Sequence, residues 1–241
     1  MTGGSHAYGE SSYWDSRYRQ DPGPFDWYQK YANLAPLLDR YIRRSHRLLL
    51  VGCGNSALGE GMVDDGYQDV VNIDISSVVV EAMQEKYKDK PALKYIKMDV
   101  RDMNYFGSGS FDAVIDKGTL DSLMCGHNAQ SNATKMLGEV GRVLKDKGVY
   151  ILITYGDPTY RLHLLRELSL WTISLHVIDR MERTSEKKCW ELTDPLPLNE
   201  DGSSVTNLLG PNPEVHYIYV CTKDDSLRPQ KIVKQGKEQN C

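Results

Sequence analysis

The sequence has few cysteines, and their spacing suits neither a metal site nor a disulfide framework. Its five cysteines are odd in number and scattered through 241 residues. Secreted disulfide domains carry a denser set, and zinc sites need closely spaced Cys and His ligands. The six histidines form no cluster either. We therefore expect reduced thiols, a cytosolic protein and no bound metal.

Excess positive charge and long apolar runs are also missing. The formal net charge is −4, so no basic field predicts a nucleic-acid partner. No run approaches the roughly 18 apolar residues of a membrane-spanning helix. Residues 1–12 are polar and rich in Gly and Ser, without the apolar centre of a secretion signal. We expect a flexible N-terminus, no membrane partner and a cytoplasmic protein, with the nucleus remaining open.

What the sequence does contain is an alternation of short apolar runs with longer amphipathic periods, which is typical of an α/β domain. Apolar residues make up 40% of the chain and charged residues 26%, as in ordinary globular proteins. The predicted strands are 46–51, 70–74, 93–100, 111–116, 149–154, 171–178 and 215–222. The predicted helices are a short one at 57–65, then 77–87, 134–147 and 160–170.

The last two predicted strands are joined without a crossover helix, and this favours an antiparallel pairing. The connection, residues 181–214, is polar and holds four of the ten prolines. Connections of that length are usually functional or disordered. We therefore predict one domain over residues 13–223, a long loop excursion at 181–214, and a mobile charged tail at 224–241.

A glycine turn follows the first strand and predicts a nucleotide-like ligand. Gly52 and Gly54 stand at the carboxyl end of that strand, where α/β folds bind nucleotides. Glycine permits tight turns and close approach of a ligand to the backbone. The run 52–57 also satisfies the dinucleotide pattern G-x-G-x-x-G/A, with Asp74 about 20 residues further on. The loop alone therefore does not separate a nicotinamide enzyme from a methyltransferase.

Residues beyond the loop distinguish these two alternatives. Asp74 ends the second strand, where a carboxylate accepts ribose hydroxyls in both classes. Asp99 and Val100 end the third strand, where a carboxylate and a backbone N–H can read an adenine edge. The antiparallel late strands suit a methyltransferase sheet, and the Tyr-x-x-x-Lys pair of short-chain reductases is absent. We therefore predict a Rossmann-like, mostly parallel seven-strand α/β fold that binds S-adenosyl-L-methionine.

Four sequence runs resemble the methyltransferases related to methyltransferase-like protein 13. They are 13–18 (YWDSRY), 25–28 (FDWY), 50–56 (LVGCGNS) and 116–121 (DKGTLD). That family includes lysine methyltransferases of translation elongation factor 1-alpha, one of them encoded beside endothelin-converting enzyme 2. The likeness covers about residues 12–157 and thins afterwards, and the DKGTLD run is its most specific part.

The resemblance implies a class I methyltransferase fold and a set of cofactor contacts. The implied residues are Trp14, Tyr18, Trp27, Gly52, Asp74, Ile75, Asp99, Val100 and Lys117, and the glycine turn itself adds Gly54. Of these, Ile75 can cover an adenine face, and the two tryptophans can exclude water from the sulfonium. Lys117 can offer its ammonium to the cofactor carboxylate or to the acids of the site.

Asp116 and Asp121 are the candidate catalytic residues. Deprotonating a lysine acceptor from a pKa of about 10.4 costs roughly 4–5 kcal/mol at pH 7. A nearby carboxylate stabilises the ammonium and raises its pKa, so we expect these two residues to orient the amine rather than act as bases.

The predicted function is a protein-lysine methyltransferase acting on elongation factor 1-alpha or a related protein. A small-molecule methyltransferase of the same fold and a cofactor-binding interaction module with weak activity remain alternatives. The segment 181–214 departs from close relatives, which join the last two strands by a shorter connection. The identity of the acceptor is therefore the property that the family resemblance supports least.

Overall fold

Short apolar runs form the strands of one sheet in the computed structural model, which describes residues 7–180 and 191–227. The strands are β1 (Arg47–Val51), β2 (Asp69–Asp74), β3 (Leu93–Lys97), β4 (Phe111–Lys117), β5 (Leu144–Thr154), β6 (Trp171–Asp179) and β7 (Val215–Lys223). Their order in the sheet is β3-β2-β1-β4-β5-β7-β6. Strand β7 runs antiparallel to β5 and β6, and the other pairs are parallel. The predicted fold class, with one antiparallel late strand, is confirmed.

Both faces of the sheet are covered by helices, and this explains the continuous apolar strands. The helices are α1 (Ser11–Gln20), α2 (Tyr31–Tyr41), α3 (Leu58–Asp64), α4 (Ser77–Lys86), α5 (Thr119–Met124), α6 (Ala129–Val143), α7 (Pro158–Glu167) and α8 (Ser203–Leu209). Within β1, Leu48 and Leu50 pack in the core with α2, α3 and α4, whereas Leu49 and Val51 pack in the core with α5, α6 and α7. Among the described residues, none of the helices has the length and apolarity to cross a bilayer.

The sixth helix begins and ends earlier than the predicted range 134–147. It spans Ala129–Val143, and Leu144 already pairs with Phe111 as the first residue of β5. Lys147 has a positive φ of 62°, and Gly148 lies where a Cβ would come within 3.0 Å of the Asp112 carbonyl oxygen. The predicted helical end at 144–147 is wrong. Leu144 fits the apolar period of the helix, but in the structure it pairs with Phe111 as part of β5.

Three other predicted boundaries also change. Strand β3 stops at Lys97, so Asp99 and Val100 lie in the turn that follows it. Helix α1 begins at Ser11, inside the predicted flexible N-terminus 1–12, of which residues 1–6 lie outside the description. The predicted excursion 181–214 contains α8, and Leu196 bridges to Leu175 of β6. Residues 181–190 and the tail from 228 onward lie outside the described ranges.

Candidate functional site

The glycine turn after β1 requires glycine at two positions for both conformational and steric reasons. Gly52 and Gly54 have φ values of +58° and +51°, in the left-handed region that side chains disfavour. A Cβ on Gly52 would lie 2.1 Å from Thr119 Oγ1, and one on Gly54 would lie 2.6 Å from the Tyr18 hydroxyl. The turn therefore brings bare backbone to the carboxyl ends of the parallel strands, where it can approach a ligand closely.

Asp74 closes β2 beside this turn, and backbone donors hold its carboxylate. Its Oδ2 accepts the Gly54 N–H at 2.9 Å, and its Oδ1 accepts the Ser76 N–H at 2.9 Å. Burial raises the pKa of Asp74 to about 6, against the lowering effect of these hydrogen bonds. At neutral pH the group is therefore mostly ionised and offers its remaining lone pairs as acceptors.

The turn after β3 carries a second carboxylate, which an arginine orients. Arg101 donates to Asp99 from Nε at 2.9 Å and from Nη2 at 2.7 Å. Burial opposes ionisation of Asp99, but the hydrogen bonds and charge of Arg101 bring its pKa below the ordinary value. Arg101 also donates to the Gly9 carbonyl at 2.9 Å and so ties the N-terminal segment to this turn.

Helix α1 covers one side of the same region with aromatic rings. Trp14 and Tyr18 stack with centroids 5.9 Å apart, and Trp14 Nε1 donates to the Tyr8 carbonyl at 2.8 Å. Asp15 accepts the Ser76 hydroxyl at 2.6 Å, which joins the helix to the start of α4. None of the residues of α1 is buried, although Trp14 and Tyr18 both line the cavity described below.

Residues 21–30, which we call the strap, cross from α1 to α2 over the ends of the strands. Lys117 Nζ, at the end of β4, donates to the Trp27 carbonyl at 2.9 Å and to Asp26 at 3.3 Å. Burial lowers the pKa of Lys117, and the charge of Asp26 opposes that shift. Of the two roles expected for Lys117, the structure favours pairing with an acid of the site: this ammonium fastens the strap.

These elements line one cavity that opens to solvent. All ten residues predicted to contact a cofactor line it: Trp14, Tyr18, Trp27, Gly52, Gly54, Asp74, Ile75, Asp99, Val100 and Lys117. The assignment of each contact stays a prediction. What the structure adds is that residues from six separate stretches of the chain meet around one volume.

Asp116 does not reach this cavity. It is fully buried, and its oxygens accept the Thr119 N–H at 2.7 Å, the Leu120 N–H at 3.1 Å and the Tyr150 hydroxyl at 2.9 Å. Burial and the nearby charge of Asp121 raise its pKa to about 7. Asp116 therefore binds the first two N–H groups of α5, and its predicted acceptor-orienting role stays a prediction.

Asp121 is also absent from the cavity lining, because donors from the fold surround it. Its Oδ1 accepts from Arg161 Nη2 at 2.6 Å and Thr154 Oγ1 at 2.5 Å. Its Oδ2 accepts from the Tyr28 hydroxyl at 2.7 Å and the Tyr155 N–H at 3.3 Å. These contacts join the strap, β5 and α7 around one carboxylate. The predicted role of Asp121 in orienting the acceptor stays a prediction.

Sequence reasoning missed several residues that shape the cavity. Tyr8 and Gly9 lie in the segment predicted to be flexible, and Phe25 lies in the strap. Thr119 donates to the Val51 carbonyl at 2.9 Å and packs against the glycine turn. The 25–28 run enters the sequence argument only through the family resemblance. Its three aromatic residues in four, in an otherwise polar stretch, were the available signal for Phe25.

Comparison with known proteins places this cavity in context. The model of the methyltransferase domain family matches residues 49–152, which hold the glycine turn, Asp74, Asp99 and Lys117. The mouse EEF1A lysine methyltransferase 4 is 37% identical over 177 residues, covering 69% of this chain and 69% of the relative. The bovine eEF1A lysine and N-terminal methyltransferase is 41% identical over 167 residues, covering 68% of this chain.

The chain spans only 23% of the length of that bovine relative. Among solved structures, a TehB-like SAM-dependent methyltransferase from Corynebacterium glutamicum superimposes with a TM-score of 0.51 at 16% identity. That match covers 90% of this chain and 99% of the bacterial protein. At such low identity the likeness concerns the fold alone.

Proposed function

We infer an activity for this chain from one premise: it belongs to the methyltransferase family that includes the mammalian EEF1A lysine methyltransferase 4 proteins. On that premise the chain transfers a methyl group from S-adenosyl-L-methionine to a lysine side chain of a protein. The observation that carries this proposal is the cavity, in which the glycine turn, Asp74 and the Asp99–Val100 turn face one volume.

The residues present suit S-adenosyl-L-methionine. The ionised Asp74 lines the cavity as an acceptor for ribose hydroxyls, and Asp99 and Val100 line it where we expect a carboxylate and a backbone N–H to bind the edge of an adenine. Ile75 supplies an apolar surface for the adenine ring, and Trp14 and Tyr18 supply aromatic ones. At Gly52 and Gly54 a side chain would fill space at the turn and collide with Thr119 or Tyr18. The donor set and the bare backbone are those that this ligand needs.

When bound, S-adenosyl-L-methionine supplies a methyl group already activated on a sulfonium, so the protein must bind, align and exclude water. We expect the strap to exclude water, because its residues Phe25 and Trp27 line the cavity. Lys117 keeps the strap in place through the Trp27 carbonyl. Burial raises the pKa of the Cys53 thiol well above its ordinary value, so the thiol stays protonated and does not compete as a nucleophile.

The proposed acceptor is a lysine of elongation factor 1-alpha or a related protein. Support comes from the relatives, whose names specify eEF1A lysine methyltransferase at 37–41% identity. The net charge of −4 also suits a basic protein segment better than nucleic acid. We further propose that the protein works in the cytoplasm, where its acceptor is translated and used.

The experiment is transfer of a radiolabelled methyl group to purified elongation factor 1-alpha and to an extract from cells that lack this enzyme. We expect one labelled protein, with a methylated lysine located by mass spectrometry. Label found only in small metabolites would overturn the lysine assignment. The Asp74→Ala variant is the control, because it should bind S-adenosyl-L-methionine at least tenfold more weakly in calorimetry and label nothing. Unchanged cofactor affinity in this variant would overturn the ribose contact.

A further inference from the structure

A row of four aromatic rings, which we call the aromatic rim, lies along the mouth of the cavity. It runs from Phe25 through Trp27 and Tyr28 to Tyr155, with successive ring centroids 5.2, 6.2 and 6.3 Å apart. Phe25, Trp27 and Tyr155 are 45%, 48% and 46% exposed, respectively. Exposed aromatic surface collected at one place on a soluble protein marks a site of interaction. The fold leaves Phe25, Trp27 and Tyr155 about half exposed, so core packing does not account for their grouping.

The rim begins inside the cavity and ends outside it. Phe25 and Trp27 line the cavity, and Trp27 and Tyr28 lie over Gly118, where a Cβ would come 3.2 Å from the Tyr28 ring. Tyr155 follows β5 and does not line the cavity. The row therefore leads from the protein surface to the end of β4, where the strap closes over the ligand volume. A long side chain entering along it would keep an aromatic neighbour over most of its path.

The carboxylates that touch the strap and the rim are already paired. Asp121 holds four donors, two of them from Tyr28 and Tyr155, and Asp26 pairs with Lys117 and Ser56. Arg161 lies 5.8 Å from the Tyr155 centroid and is 4% exposed, whereas 46% of Tyr155 is open to solvent. Its charge is balanced by Asp121 at 2.6 Å. What remains for an incoming cation is therefore the exposed faces of the rings.

We propose that the aromatic rim receives the ammonium group of the acceptor lysine through cation–π contacts. This inference rests on the proposed lysine methylation and names the surface that performs acceptor recognition. Cationic side chains are attracted to aromatic faces within about 6 Å, and methylated ammonium groups keep this attraction. An aromatic face also stabilises the ammonium less than an ionised carboxylate does, so the lysine loses its proton more readily before transfer. On this proposal the rings of the rim, and not the carboxylates of Asp116 and Asp121, orient the acceptor lysine.

Kinetics with purified elongation factor 1-alpha provide the first test. Tyr155→Leu keeps an apolar side chain but removes the π face, and kcat/KM for the acceptor should fall roughly threefold to thirtyfold. Tyr155→Phe should stay within about threefold of the wild type, since it keeps the face. Calorimetric affinity for S-adenosyl-L-methionine should not change in either variant, because Tyr155 lies outside the cavity. The matched control is Tyr105→Leu, an exposed tyrosine on the turn before β4, at the opposite end of the parallel strands. Equal kcat/KM for Tyr155→Leu and Tyr105→Leu would overturn the proposal.

A binding test that needs no turnover separates this proposal from the proposed function. The probes are choline and its neutral isostere, in which carbon replaces the quaternary nitrogen, titrated into the protein loaded with S-adenosylhomocysteine and followed by NMR. We expect the wild type to prefer choline, and Trp27→Leu with Tyr155→Leu to abolish that preference. If the wild-type protein bound choline no better than the neutral isostere, cation binding by the rim would be overturned, even if elongation factor 1-alpha is methylated. A preference that depends on both rings, in a protein that labels no lysine, supports the rim and refutes lysine methylation.

Discussion

Asp116 is fully buried, and both of its oxygens are occupied by donors of the fold. Two of these donors are N–H groups in the first turn of α5, which have no partner inside the helix. The third is the Tyr150 hydroxyl of β5, so the carboxylate joins two elements as well as capping one. From sequence, a strand-end acid next to a lysine and a glycine looked like a catalytic group. Burial distinguishes the two roles, and a single sequence does not report burial of a polar residue.

The raised pKa of Asp116 gives a prediction whose sign can be worked out. Its pKa is about 7 in the folded protein against 3.8 ordinarily, so between these values the folded state keeps a proton that the unfolded chain has released. The free energy of unfolding should therefore fall as pH rises through this range, by about 2–3 kcal/mol between pH 5 and pH 8. Asp116→Asn does not titrate and should lose this part of the pH dependence, as measured by urea unfolding at several pH values.

Comparison with the wild type isolates this effect, because Asp74 also has a raised pKa and contributes equally to both proteins. Parallel pH profiles for the two proteins would show that the pKa of Asp116 is not raised in the folded protein. An Asp116→Asn protein of unchanged stability with a raised KM for the acceptor would instead support the predicted acceptor-orienting role.

At the scale of elements, the sequence predicts strands better than helix ends. Runs such as Leu48–Val51 are apolar throughout, and both faces of a central strand are buried, so the pattern and the structure agree. Helix α2 was not predicted, although Leu34, Leu37 and Leu38 follow a helical period. Pro36 sits inside it and removes the N–H that would bond to the Ala32 carbonyl, so the local sequence argues against a helix that the tertiary packing nevertheless forms. Helix α1 buries none of its residues, so its sequence carries little amphipathic signal.

Two glycine-to-alanine substitutions contrast what glycine does in a turn and in a helix. At Gly54 the positive φ and the Tyr18 hydroxyl at 2.6 Å both oppose a methyl group. Gly54→Ala should therefore lower the free energy of unfolding by about 1–2 kcal/mol. It should also lower the affinity for S-adenosyl-L-methionine at least tenfold. At Gly138 in α6 a Cβ meets nothing within 4 Å. Gly138→Ala should raise stability by about 0.5–1 kcal/mol and leave cofactor affinity unchanged.

Thermal unfolding and calorimetry on the two variants check both halves of this contrast. A Gly54→Ala protein that binds the cofactor like the wild type would mean that the turn does not need its left-handed conformation for the ligand. A destabilised Gly138→Ala protein would mean that α6 packs against something at that position, contrary to the open space seen here.

At the scale of the whole molecule, the site is assembled from segments that are far apart in sequence, and this limits what the sequence can predict. The positions of the glycine turn, Asp74 and Asp99 follow from strand ends, since parallel strands end at one edge of the sheet. The strap and the aromatic rim do not follow from any such rule. Tyr28 and Asp121 are 93 residues apart, and Asp121 and Arg161 are 40 apart, yet Asp121 accepts a hydrogen bond from each of the other two. Only the folded chain brings them together.

The pair Arg161–Asp121 therefore offers a test of how the molecule holds its site together. Both side chains are nearly buried, at 5% and 4% exposure, and Asp121 links the strap, α5, β5 and α7. Arg161→Met leaves a buried carboxylate without its cation, so unfolding should become easier by about 3–5 kcal/mol. The exposed pair Arg17–Asp21 is the matched control, and Arg17→Met should cost no more than about 1 kcal/mol.

The double variant Asp121→Asn with Arg161→Met decides what the pair contributes. Arg161 Nε is buried without a hydrogen-bond partner among the described residues, so part of the cost of burying this cation is not recovered. The double variant should therefore regain a large part of the stability lost in Arg161→Met, as measured by urea unfolding. Its acceptor kinetics should stay impaired, because Tyr28 and Tyr155 lose the charged group that fixes both ends of that part of the rim. If stability and acceptor kinetics recovered together, the pair would serve only to hold the fold, and Asp121 would have no part in positioning the rim.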